Sequence, residues 1–292
     1  GVDTALAPVQ LNAPELLSLS NLPGIKFGAT LVLAVVVAEL FNQGNWQRVY
    51  ACRSNKTVKR AFLMSALIVL PMIFIAGFLG ILAMHFGFND DRAFFALIQK
   101  LSLPVWFVSI VLVLALALVM STLSALLNGI ASVFTIDLIR FFPQMRSSSL
   151  LRTSRMITIG IGVVAIAIAS QGYNVLYLFL LADLVCAGAF VPIIVGLYSR
   201  RLTGMTAFWS AVVGIAAGAL FFPKPDFTAW LNIPFGGDLL VSFIAPLMVS
   251  AVVIFISRAA GARNTTQGFD FNQLQNQIRS YAEPELEDAP KG

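Results

Sequence analysis

Apolar residues run along this chain in seven long blocks, separated by short connections that are polar and often basic. The blocks cover approximately residues 25–44, 61–86, 104–128 with a continuation to 140, 156–171, 174–198, 205–222 and 239–257. A hydrocarbon core about 30 Å thick takes roughly 20 apolar residues of helix to cross. The pattern predicts an all-α polytopic membrane protein with seven transmembrane helices. It divides the chain into an extracytoplasmic loop at 1–24, a helical bundle at 25–257 and a cytoplasmic tail at 258–292.

Composition points the same way. Hydrophobic residues are 58% and charged residues 11% of the chain, against roughly 25% charged in an ordinary soluble domain. A soluble core of this size needs a charged coat that this sequence does not supply. The formal charge of +5 is concentrated in alternate connections. Arg48, Arg53, Lys56, Lys59 and Arg60 form one group, and Arg140, Arg146, Arg152 and Arg155 the next. Arg200 and Arg201, then Arg258, Arg263, Arg279 and Lys291, complete the series, while the other connections hold Lys26, Arg92, Lys100 and Lys224. Basic residues favour the cytoplasmic side, so the first span is expected to run from outside to inside. The C-terminus is then cytoplasmic, in a cell (plasma or inner) membrane. Charge arranged in this way marks orientation in a lipid bilayer and not nucleic-acid binding.

The chain begins at Gly1 with a stretch containing Pro8, Pro14 and Pro23, which reads as an extracytoplasmic loop. This predicts the C-terminal part of a longer protein. In the tail, Phe271, Leu274, Ile278 and Tyr281 fall at helical spacing, enough for a short helix on the cytoplasmic face or a docked tail. Cys52 and Cys186 occupy a loop and a span, which suggests neither a disulfide nor a metal site. The single His85 reads as interfacial. With no phosphate loop, nucleophile–base pair or Cys/His ligand set in the sequence, nothing here points to an enzyme.

The third block carries the most chemistry. Ser121, Ala125, Asn128, Ser132 and Thr135 recur at intervals of four and three, so they share one helix face. A small polar stripe of this kind permits close helix contact in lipid. Ser121 and Thr122 are also adjacent hydroxyls, one turn beyond the backbone carbonyl of Leu118. Together these can aim several neutral oxygens at one spot, the ligand type a hard monovalent cation prefers. Acidic ligation would hold such an ion too tightly to release it.

Ser121-Thr122 through Asn128 to Phe134-Thr135-Ile136-Asp137 resembles the eighth core helix of the sodium:solute symporter family. Asn42-Gln43-Gly44-Asn45-Trp46-Gln47-Arg48 resembles that family's exit from its sixth core helix. Pro192 through Gly196-Leu197-Tyr198, followed by Arg200-Arg201, resembles its tenth helix and the turn that follows. The resemblance covers about residues 25–257. It implies the LeuT-type fold of two inverted repeats, with this chain supplying core helices six to ten and two peripheral helices. It implies a symporter that uses sodium ion, with the Leu118 carbonyl and the Ser121 and Thr122 hydroxyls as this chain's ligands. The family's site is shared with the first helix, so the missing N-terminal repeat is an implied partner.

Two carboxylates lie within predicted spans, Glu39 and Asp183. An ionisable group there costs several kcal/mol unless it meets water or a partner, so function is the default reading. Glu39, Asn42 and Asp183 are the candidate substrate-binding or gating residues. Their alternative role is hydrogen bonding for helix packing. A small polar solute of the urea, polyamine or amino acid class suits such groups. Asp137 and Arg140 are expected to pair near the cytoplasmic exit. Pro71, Pro192 and Pro246 are expected to bend their spans, and Trp46 to anchor at the interface. The expected function is sodium-coupled import by alternating access. The rivals are a solute-sensing domain of a signalling protein, and a proton-coupled carrier using Glu39.

Overall fold

The computed structural model describes residues 7, 14–18, 20–88, 90, 92–141, 147–199 and 202–259. Regular structure among them is helical: a 3-10 turn at Pro14–Leu17, then α1 (Leu22–Glu39), α2 (Gln43–Tyr50), α3 (Asn55–His85) and α4 (Ala93–Lys100). After these come α5 (Val105–Phe141), α6 (Ser147–Ala169), α7 (Val175–Tyr198), α8 (Gly204–Phe221) and α9 (Leu239–Ala259). Seven of these helices are long and apolar enough to cross a membrane, in agreement with the blocks read from the sequence. The tail helix expected at 271–281, most of the 1–24 loop, and Arg146, Arg200 and Arg201 lie outside the described residues. So do the side chains of His85 and Arg140, and with them the expected Asp137–Arg140 pair.

Helix boundaries follow local capping chemistry. The first block, expected as one span over 25–44, ends its helix at Glu39 and restarts at Gln43. Asn42 causes the restart. Its Oδ1 accepts from the Gly44 N–H at 3.1 Å, and its carbonyl accepts from Asn45 and Trp46 at 3.0 and 3.3 Å. Asparagine at this position satisfies donors that a new helix leaves orphaned. The second span begins at Asn55, earlier than the expected 61, because Ser54 Oγ accepts from the Thr57 N–H at 3.2 Å. Lys56, Lys59 and Arg60 are thereby helical. The Thr203 and Asp238 side chains cap α8 and α9 in the same way.

The described residues form two compact units. One is drawn from residues 1–28, 41–50 and 65–180, the other from 29–40, 51–64 and 181–292. In the first unit α5 packs beside α6, and α2 packs against α5. Its long helices keep their large side chains exposed; none of the most apolar stretch of α5 is buried. Apolar surface of this extent belongs against lipid.

The second unit is closely packed. On α8, Ser210, Gly214 and Gly218 are buried, and on α9 Ser242, Phe243, Pro246, Ser250 and Ile254 are buried. A Cβ at Gly218 would stand 2.8 Å from the Ser242 carbonyl oxygen and 2.7 Å from Leu184 Cδ1. A Cβ at Gly214 would run into Ser250 Oγ, and one at Gly188 would stand 2.8 Å from the Ile215 nitrogen. Three helices therefore meet where their side chains have been reduced to a hydrogen or a hydroxymethyl group, the economy of helix contact in lipid.

Two prolines explain the polar detail at this junction. Pro192 has no N–H, so the carbonyl of Gly188, four residues earlier, loses its helical donor. The Ser250 hydroxyl lies 3.0 Å from that oxygen and 2.9 Å from the Ser210 carbonyl, and its one proton is shared between them. A serine on α9 thus supplies what a proline on α7 removed. Pro246 likewise frees the carbonyl of Ser242, which faces Gly218. At the far end of the same unit, Arg258 Nη2 donates to Ser199 Oγ at 2.7 Å and ties α9 to the end of α7. Residues 222–238 return to the end of α8 through Gly237 N–H to Phe221 O at 2.9 Å, with Lys224 Nζ 6.0 Å from the Trp230 ring centroid.

Candidate solute and ion site

The α5 oxygens come together as the spacing requires. Thr122 Oγ1 lies 3.0 Å from the Leu118 carbonyl oxygen and donates to it. Oxygens this close can both touch a cation that takes its ligands at about 2.4 Å. The hydroxyl retains two acceptor lone pairs, and joint coordination requires its proton to turn away from Leu118. Ser121 and Thr122 are both exposed. The donor set, hard neutral oxygens without nitrogen or sulfur, fits sodium, and it supplies part of the shell of several oxygens that a hard cation of this size takes.

Farther along α5 the stripe behaves differently. Ser132 Oγ donates to the Asn128 carbonyl and Thr135 Oγ1 to the Ala131 carbonyl, each at 2.7 Å. These hydroxyls are engaged by their own helix, as serine and threonine commonly are in apolar helices. Close contact occurs at Gly129, which is buried and whose missing Cβ would lie 3.4 Å from Gln43 Cβ. Beside that contact is a cavity of about 220 Å³ lined by Asn42, Gln43, Gly44, Ala125, Gly129 and Val133, among others. The structure thus brings Asn42 to α5, with its Oδ1 already engaged in capping α2.

Glu39 and Asp183 belong to the second unit. Asp183, on α7, is 5% exposed, and its Oδ2 has no hydrogen-bond partner among the described residues. Glu39 is exposed at the last residue of α1, directly before the break at 40–42, and its charge acts on Asp183. The α1 face leading to it buries Thr30, Ala34 and Val37 at helical spacing, which fixes the helix's rotation. Sequence reasoning found the two carboxylates but not their proximity. It also missed Ser250 and Gly188, although Pro192 signals that the carbonyl four residues earlier needs a donor.

Among curated proteins, the chain is 26% identical over 214 residues to a protein of Candida albicans described as the spermidine transporter DUR31, covering 69% of this chain and 40% of that protein. It is 25% identical over 261 residues to the sodium/glucose cotransporter of Vibrio parahaemolyticus, covering 79% of this chain and 46% of that protein. The chain therefore spans less than half the length of these relatives. No solved structure matches it significantly. The family model for the sodium:solute symporter family matches residues 8–214, and on that match, with seven membrane-crossing helices arranged as described, this chain belongs to the sodium:solute symporter family.

Proposed function

We propose that this chain forms part of a sodium-coupled importer of a small polar solute, working by alternating access in the cell membrane. The observation that carries the reading is the pairing of Leu118 O and Thr122 Oγ1 at 3.0 Å, next to Ser121, inside a span of a symporter-family chain. Sodium arriving from outside occupies these oxygens together with ligands from the rest of the transporter. Its binding free energy favours the outward-facing arrangement and completes the solute pocket, so ion and solute raise each other's affinity by the same factor. Neutral ligands keep that binding weak enough for release on the cytoplasmic side. The basic connections orient the N-terminal end of the chain outward and its tail inward.

Solute uptake by the full-length protein in proteoliposomes tests this, with sodium or choline outside and Thr122→Ala beside the wild type. Uptake should require sodium, and the variant should need roughly tenfold more of it, the loss of about 1.4 kcal/mol of sodium-binding free energy. Uptake that is indifferent to both sodium and the substitution would remove sodium from the account. The buried Asp183 beside Glu39 favours proton coupling as the second reading, in which uptake survives in choline and follows the pH gradient.

A further inference from the structure

Asp183 is the anomaly of the second unit. It is 95% out of solvent, since only 5% of its surface is exposed, and Oδ2 has no hydrogen-bond partner among the described residues. Its neighbours on α7, Leu184 and Ala187, are buried apolar residues. A carboxylate so placed is unfavourable unless a proton or another positive group comes to it. The charge that does act on it is a second carboxylate, that of Glu39. A like charge acting on the buried one raises its cost further and adds to the attraction for a cation.

Sodium suits these surroundings poorly. It seeks many oxygens at once, whereas the buried α7 residues beside Asp183, Leu180, Leu184 and Ala187, carry no side-chain oxygen. An ammonium group on an alkyl chain suits them better. It needs few hydrogen bonds, it forms a charge-assisted one with a carboxylate, and its methylenes match apolar walls. On the proposed reading of the protein as a solute importer, we infer that Asp183 and Glu39 form the cation-recognition element of its solute site, taking an alkylammonium group of the substrate. The buried carboxylate fixes the ammonium, and the exposed one at the break in the first span draws it in.

Direct binding separates this inference from the transport reading. Spermidine serves as the alkylammonium probe and glucose as the neutral one, titrated calorimetrically into the full-length protein in nanodiscs, in choline buffer. Spermidine should bind, Asp183→Asn should weaken it at least about 30-fold, the loss expected when a buried charge pair is cut, and Glu39→Gln should weaken it less. Thermal unfolding of each variant shows that the fold is kept. As a second readout, spermidine should slow alkylation of Cys186, three residues from Asp183, in a Cys52→Ser background. Equal spermidine affinity in wild type and Asp183→Asn, or no spermidine binding at all, overturns the inference. Sodium-dependent glucose uptake unaffected by either carboxylate substitution also overturns it and leaves the symporter reading standing. Carboxylate-dependent spermidine binding without sodium-dependent uptake keeps the inference and ends the symporter reading.

Discussion

The hydroxyls of α5 and the hydroxyl of Ser250 on α9 are the same chemical group in two regions of one chain, and they do opposite things. On α5, Thr122, Ser132 and Thr135 bond back to carbonyls four residues earlier in their own helix. Those carbonyls already have helical donors, so the bonds add little and can be given up. Ser250 reaches instead to two other helices, and one of the carbonyls it serves has been deprived of its donor by Pro192. Its bond is not redundant. A hydroxyl in a membrane span is therefore available for binding where its acceptor is already satisfied, and structural where its acceptor depends on it.

Substitutions can break this contrast, beginning with the packing that holds Ser250 in place. Gly218→Leu should have the largest effect, because the new side chain meets the Ser242 carbonyl, Leu184 and Pro246 together. Overpacking of this kind costs about 1–3 kcal/mol or more, and a fall in the midpoint of thermal unfolding in detergent would register it. An unchanged midpoint would mean that α8 and α9 are not as close as described. Ser250→Ala should come next, at about 1–3 kcal/mol for an unsatisfied buried carbonyl. A Pro192→Ala change in the Ser250→Ala background restores a donor to Gly188 and should recover a good part of that loss. Simple additivity of the two changes would break the link between them. Smallest of all, Thr122→Ala should shift stability by no more than about 0.5 kcal/mol, measured by the same unfolding assay. A large loss there would make the α5 hydroxyl structural and erase the comparison.

Much of the fold was legible because its signals are local. Long apolar runs gave the seven spans, and alternating Lys and Arg gave an expected orientation. The break after Glu39 was hidden inside an apolar block, although Asn42-Gln43-Gly44 carries the chemistry of a helix start. Sequence logic expected small-residue helix contact along Ser121–Thr135. The structure has such contact at Gly129 on α5 and, more extensively, at Gly188, Gly214 and Gly218. The four-residue step from Gly214 to Gly218 was a readable signal for it. Asp183 was conspicuous as an ionisable residue in a span. Its neighbour Glu39 lies far away in the chain, and periodicity along one helix carries no information about which face of another will meet it.

The length of α5 has a mechanical consequence. Its 37 residues make a rod about 55 Å long, in a bilayer whose hydrocarbon core is about 30 Å thick, with no proline along it to bend it. Ser121 stands about 24 Å from one end and about 30 Å from the other. A tilt of about 10° about that point would carry Phe141 through about 5 Å while barely displacing the oxygens at the pivot. For a rotation about that point, the oxygens at Leu118 and Thr122 would stay nearly still while the distal end of the helix moves by several ångströms.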